Sequence, residues 1–250
     1  MKIIFRNILK YYLKFLTKIV LIIHRPIIIG IAGSTNKSFV RMELIKILNE
    51  KGLQARSHNK SFNTNISMPL AILYLESGYN SYLRWLPIIL KAFLSIFKLK
   101  FPQILVLEYG ISKPGDMRYL LSIARPDITI ITEVTKRYLE SFSDMDELAE
   151  EYELLIKKTK KNGLILLNND NIRVSNLKNI AKNEVILYGF SENSDIKVIS
   201  SEKIELGQKV KYLYKNFIYE IIINKFGNHH IYTLLIGQII KNYVEKYKKL

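Results

Sequence analysis

Lys37 and Ser38 directly follow Gly33-Ser34-Thr35-Asn36, and these six residues join an apolar run at 26–33 (PIIIGIAG) to a helical pattern at 37–51. A phosphate loop written G-x-x-x-x-G-K-[ST] uses such a strand-to-helix junction: main-chain N–H groups curl around an anion, the lysine reaches the terminal phosphates and the hydroxyl holds Mg²⁺. The longer pattern fails at both glycines, since Ile31 and Asn36 occupy those places. Asn is the non-glycine residue most able to take the positive φ required before the lysine. Gly30 and Gly33 stand nearby, and an ordinary strand-to-helix turn is the alternative reading. Glu108 closes a second apolar run, ILVLEYG at 104–110. An acid there faces the crevice where open α/β sheets bind ligands, as a magnesium ligand or as a plain solvated edge residue. His229 and His230 follow Gly227, as ligand contacts or as loop residues. Tyr138, Glu140, Glu151 and Tyr152 have no spacing that by itself demands chemistry. There is no H-E-x-x-H, no G-x-S-x-G and no cysteine, so zincin, nucleophile-elbow, thiolate and disulfide chemistry are excluded and a reducing compartment is expected.

The elements that must position these groups alternate. Apolar strands are expected at 26–33, 104–110, 127–133 and 164–168. Helices are expected at 37–51, ending at Gly52, near 115–124 and over 144–160, the last with acids at its start and lysines at its end. Beyond Val185 the pattern gives shorter strand candidates, including 218–223, and a final helix over 231–247. Strands interleaved with helices make an α/β fold of three layers with a mostly parallel sheet and a phosphate-loop crevice. In 250 residues with 48% apolar content this is one domain over 26–250, preceded by a helix over 1–25.

The formal charge of +16 is uneven: residues 1–101 hold 16 lysines and arginines against three acids. Lys2, Arg6, Lys10, Lys14 and Lys18 recur every four residues, so no apolar run reaches the roughly 18 residues a membrane span needs. The pattern fits a helix lying on anionic lipid at the inner membrane face, or a basic helix packed on its own domain. A second stretch, 82–101, mixes Trp85, Phe93 and aliphatics with Arg84, Lys91, Lys98 and Lys100, and carries Pro87 near its start. The cations alternate with bulky aliphatics, not with glycine and stacking aromatics, so nucleic acid is not expected.

Six strings in order resemble the central, ATP-binding domain of the Mur ligases, above all the UDP-N-acetylmuramoyl-tripeptide:D-alanyl-D-alanine ligase type, over about 26–240. IIIGIAGSTNKSF is similar to that family's strand and shorter G-x-x-G-K-[ST] loop, with Gly33 as the first glycine. FNTNISMPLAIL resembles its Asn-rich segment, and LVLEYGISKPGDMRYLLSIARPDITIITEV the stretch with the magnesium-binding glutamate. YLESF, NGLILLNNDN and GNHHIY resemble its H-L-E-x-F, G-x-x-x-x-N-x-D and G-x-H-N motifs. The resemblance implies that ATP phosphorylates a substrate carboxylate and an amine displaces the phosphate. It assigns nucleotide contacts to Gly33, Ser34, Thr35, Asn36, Lys37, Ser38, Asn168, Asp170 and His229, and Mg²⁺ to Ser38 and Glu108. It also marks departures: Asn36 stands for the last loop glycine, Tyr138 for a metal-contacting histidine, Tyr152 for a lysine carbamylated in many members, and His230 for the final asparagine. Members carry further domains for the UDP-sugar substrate and the incoming amine. A partner chain supplying them is therefore an expectation, with a muramyl peptide as substrate, and a non-catalytic nucleotide-binding scaffold is the alternative.

Overall fold

The computed structural model describes residues 3–50, 52–135 and 141–247. Helix α1 (Ile3–His24) leads into β1 (Ile27–Ala32) and α2 (Lys37–Glu50). Next come β2 (Ala55–Arg56), α3 (Ser67–Leu73), α4 (Tyr82–Leu94), β3 (Ile104–Glu108) and α5 (Asp116–Ile123). Then follow β4 (Ile128–Ile131), α6 (Met145–Lys158), β5 (Leu164–Asn168), α7 (Ile172–Asn176) and β6 (Glu184–Gly189). Strands β7 (Ile196–Ile204), β8 (Gly207–Tyr214) and β9 (Phe217–Ile223) and helix α8 (Asn228–Tyr247) complete the order.

Among the described residues one nine-stranded sheet runs β2-β3-β1-β4-β5-β6-β7-β8-β9. It is parallel through β7 and antiparallel from β7 to β9. Apart from Thr129 and the terminal Glu108 and Asn168, the central parallel strands β1, β3, β4 and β5 carry only apolar residues and glycine, because both faces are covered. Along β3, Ile104 and Val106 enter one cluster with α2 and α8, while Leu105 and Leu107 enter the other with α3, α5 and α6. This period-2 division gives the three layers. After β1 the chain builds β2 and β3 on one side, then returns to place β4 on the other. That switch point opens a crevice at the carboxyl ends of β1, β3 and β4.

Local chemistry sets the helix ends. Gly52 takes φ +71° and its N–H donates to the Asn49 carbonyl (2.9 Å), while Leu53 N–H reaches back to Leu48 (3.0 Å), so α2 stops in a left-handed cap. Asp144 caps α6, its carboxylate accepting from the N–H groups of Asp146 (2.9 Å) and Glu147 (2.8 Å). Pro87 falls inside α4, in its second turn and not its first, on a helix side exposed at Leu83 and Leu86 where water can satisfy the freed carbonyl. No helix of the described residues is long and apolar enough to cross a membrane.

Helix α1 packs on the domain: Leu9, Leu13, Leu16 and Val20 join Leu70, Leu73, Trp85 and Ala92 in a third apolar cluster. Two of its cations turn along α5 and not outward. Lys10 and Lys14 lie over the Tyr119 ring, and Lys14 Nζ donates to Ser122 Oγ at 2.6 Å.

Candidate nucleotide site

The phosphate loop occupies the switch point. Gly33 takes φ +131°, and a Cβ there would lie 2.2 Å from Thr132 Oγ1, so the close approach of the loop to the β4 exit requires glycine. Asn36 adopts φ +60°, the left-handed turn expected of it. Several bonds staple the loop to the segment after β4. Ser34 N–H donates to Glu133 O (2.6 Å), Thr135 N–H to Ser34 Oγ (3.0 Å), and Thr132 Oγ1 to Thr35 O (2.8 Å). The Thr35 hydroxyl also donates to the Glu133 carboxylate. Helix α2 starts at Lys37, so its first-turn N–H groups have no intrahelical acceptor and the positive end of its dipole faces the loop. The Lys37 ammonium folds back across the loop, Nζ donating to Gly33 O at 2.5 Å.

Beside the loop, Ser38 Oγ donates to Glu108 Oε2 (3.1 Å) and shares a hydrogen bond with Ser61 Oγ (2.7 Å). Glu108 is 3% exposed and is compensated by an equally buried cation, Arg41 Nε to Oε1 at 2.6 Å. Arg41 also donates to Ser57 Oγ (3.2 Å) and to the His58 carbonyl. One carboxylate oxygen is thus fixed by arginine, and the other faces the serine hydroxyl. Mg²⁺ favours oxygen donors, one or two carboxylates completed by phosphate and water, and the pair Ser38 and Glu108 fits that demand. No cluster of three or more His, Asp or Glu ligands forms among the described residues, so a metal here depends on nucleotide oxygens and water.

Asn36, Asn168 and His229 line one narrow slot with Thr132, Glu133, Tyr188 and Tyr232. Asn168 is buried at the end of β5, its Oδ1 accepting from Asp170 N–H (3.0 Å). Asp170 lies behind it as a tie: its carboxylate accepts from Phe190 N–H (2.8 Å), Ser191 N–H (2.7 Å), Ser191 Oγ (2.6 Å) and the Tyr232 hydroxyl (2.9 Å). Burial first, then Asp170, raises the Tyr232 pKa; burial also lifts Tyr188, so both phenols stay protonated donors. The His229 ring meets Phe39 edge-on at 4.7 Å. His230 meets the same Phe39 ring edge-on at 4.7 Å and lines a separate pocket with Glu43, Lys225 and Thr233; burial, then His229, depresses its pKa. Spacing alone does not mark Arg41, Glu133, Tyr188 or Tyr232. Glu133 does close the apolar run 127–133 just as Glu108 closes its own.

Other expected positions fall elsewhere. Tyr152 is 1% exposed and belongs to the apolar cluster of Met117, Leu148 and Leu155, and Glu151 caps α5 by accepting from Gly115 and Met117 N–H, both at 2.7 Å. Tyr138 and Glu140 lie outside the described residues. A roomier cavity of about 770 Å³ sits at the opposite, amino-terminal ends of the strands, beside Pro26 and Asp127. Volume does not mark the crevice; loop geometry does.

A parallel sheet with a strand–loop–helix junction of this kind, a lysine and a hydroxyl at the helix start and an acid on the adjacent strand define the phosphate-loop α/β class. Within it the chain belongs to the Mur ligase middle domain family, whose profile matches residues 86–240. Two UDP-N-acetylmuramoyl-tripeptide–D-alanyl-D-alanine ligases are similar. That of Buchnera aphidicola subsp. Baizongia pistaciae is 24% identical over 85% of this chain and 41% of its own length. That of Borreliella burgdorferi is 27% identical over 83% and 39%. The chain thus spans about two fifths of the curated relatives it matches. Among solved structures, MurF ligase from Thermotoga maritima in complex with ADP matches with a TM-score of 0.75 at 17% identity, covering 94% of this chain and 49% of that one. MurF from Acinetobacter baumannii matches with a TM-score of 0.72 at 14% identity, covering 91% and 45%. These likenesses carry the fold.

Proposed function

We propose that the chain is the nucleotide-binding core of a cytoplasmic ATP-dependent acid–amino acid ligase of cell-wall peptide synthesis, acting on a muramyl peptide. The observation that carries this reading is the loop: Gly33 and Asn36 at positive φ, with Lys37 and Ser38 opening α2 against Glu108. The first-turn N–H groups and Lys37 would receive the β- and γ-phosphates. Ser38 and Glu108 would hold Mg²⁺, which neutralises phosphoryl charge when bound. Arg41 holds Glu108 Oε1 and so fixes the carboxylate's orientation. The slot of Asn36, Asn168 and His229 continues from the loop and would take the nucleoside side. The related ligases join a carboxylate to an amine, and the share of their length that this chain does not span would come from a partner chain or a longer polypeptide.

One observation favours a second reading, a non-catalytic nucleotide-binding scaffold working with a cell-wall biosynthesis partner. Tyr152, where the family resemblance implies a lysine, is packed into the apolar core. Titration calorimetry with Mg·ATP tests what both readings share: saturable binding is expected, and its absence in a folded sample overturns both. Phosphate release with a muramyl peptide and amine then separates them, since substrate-dependent turnover by the unaltered chain removes the scaffold.

A further inference from the structure

Helices α1 and α4 lie side by side and run in the same direction. Phe5 packs edge-on against Tyr82, the Tyr12 hydroxyl donates to Ile89 O at 3.1 Å, and His24 stacks on Phe101. The pair buries one side through Leu13, Leu16, Trp85 and Ala92. The other side is bare. On α1, Ile4, Ile8, Tyr11, Phe15 and Ile22 share one line along the helix and are all exposed, Ile4 at 73%. On α4, Leu83, Leu86, Leu90 and Leu94 form a second exposed line, Leu83 at 79%, continued by Phe97. Because parallel helices touch here by adjoining flanks, both lines face away from the body and make one apolar surface.

The charge around that surface has a single sign. Neither α1 nor α4 contains an acidic residue. Arg84 and Lys91, seven residues apart, border the α4 line, Lys18 borders the α1 line and Lys100 lies just beyond α4. All four are exposed and form no ion pair among the described residues. A contiguous apolar patch of this kind marks an interaction site. We infer that the α1–α4 face docks on an anionic lipid surface: the two apolar lines enter the headgroup boundary while Lys18, Arg84, Lys91 and Lys100 meet lipid phosphates. The lipid-facing groups are therefore not the Lys10 and Lys14 of the four-residue stripe, which face Tyr119. Charge complementarity selects lipid over a second copy, since two such acid-free faces repel.

The test uses the full chain in vesicle co-sedimentation, comparing phosphatidylglycerol-containing with pure phosphatidylcholine vesicles. Binding to the anionic vesicles and release at about 1 M salt are expected, because the Debye length there is only about 3 Å. Phe15→Glu/Leu90→Glu is expected to weaken binding at least tenfold, and Arg84→Glu/Lys91→Glu to abolish the preference for anionic lipid. Both variants change exposed side chains, so an unaltered thermal melt and Mg·ATP titration show that the fold and the nucleotide site are intact. Equal binding to neutral vesicles, no binding to either, or unchanged binding by Phe15→Glu/Leu90→Glu overturns the inference. A dimer in analytical ultracentrifugation that Leu90→Glu dissociates, without vesicle binding, assigns the face to a second copy and overturns it equally.

Discussion

Around the phosphate loop, buried polar side chains pair with one another at the sheet's switch point; on α6, Tyr152 and Glu151 serve the apolar core and a helix start. Ser38, Arg41 and Glu108 form a linked set in which a buried carboxylate keeps one oxygen for arginine and one toward a serine. On α6, Tyr152 contributes its ring to the core and Glu151 spends both oxygens on the start of α5. Nucleotide binding needs backbone geometry and one ammonium, which the sheet and loop build locally. Under the scaffold reading, the neutral phenol of Tyr152 in its apolar cluster supplies no charge to any transfer step.

The harshest test of that contrast is Tyr152→Lys. A lysine there would be buried among Met117, Leu148 and Leu155, so a stability loss of about 3–5 kcal/mol is expected in urea denaturation. A variant as stable as the parent would show that the α6 region still accommodates the family's charge. Lys37→Ala should act on the other side alone. Hydrogen bonds to charged groups are worth about 1.5–3 kcal/mol, so Mg·ATP affinity should fall roughly 10- to 100-fold in calorimetry with little change in melting temperature. Smaller still is Asn36→Ala, expected to cost about 1 kcal/mol because alanine tolerates the left-handed turn less well, while Asn36→Gly should bind Mg·ATP at least as well as the parent. Identical melts and titrations for the two would show that φ at 36 does not matter.

The smallest effect is a pH dependence at the edge of the site. His58 is buried, stacked on Phe62 at 4.0 Å, and burial, followed by Lys60 and Arg41, holds its pKa below the usual histidine range against the pull of Glu76. The folded value is the depressed one, so folding favours the neutral ring. Its contribution is complete above the unfolded value of about 6.5 and shrinks as pH falls from there toward the folded value. Denaturation midpoints measured between about pH 7.5 and 5 should decline, and His58→Gln should flatten that slope; an equal slope in both proteins would clear His58 of the effect.

The parallel core was legible because strands covered on both faces read as unbroken apolar runs: 164–168 is β5 to the residue, and β1, β3 and β4 lie within their expected stretches. Strand β2 has two residues and no periodic signal, and β7 is buried at Ile196 and Val198 but largely exposed beyond, which blurs any pattern. The loop and its lysine were legible because they are contiguous. Arg41 and Tyr232 were not, since each sits on an ordinary helical face and gains meaning from partners 67 and 62 residues away. The four-residue spacing of Arg6, Lys10, Lys14 and Lys18 along α1 is legible in the sequence. Which side of it meets α5 depends on packing that spacing does not encode.

The contact of α8 with α2 bears on how the protein emerges from the ribosome. Ile231, Leu235 and Ile239 cover the same apolar cluster as Val40, Leu44 and Leu48 of the helix that carries Lys37 and Ser38. Synthesis proceeds from the amino terminus, so the outer face of α2 stays uncovered until α8, some 190 residues later, has been translated. Domains generally fold as units during synthesis, and an apolar face left waiting is exposed to aggregation. The nascent phosphate loop is thus expected to acquire its final rigidity only once α8 packs on α2, and ribosome-bound chains halted before residue 228 should be cut by protease within α2 where the 250-residue chain resists.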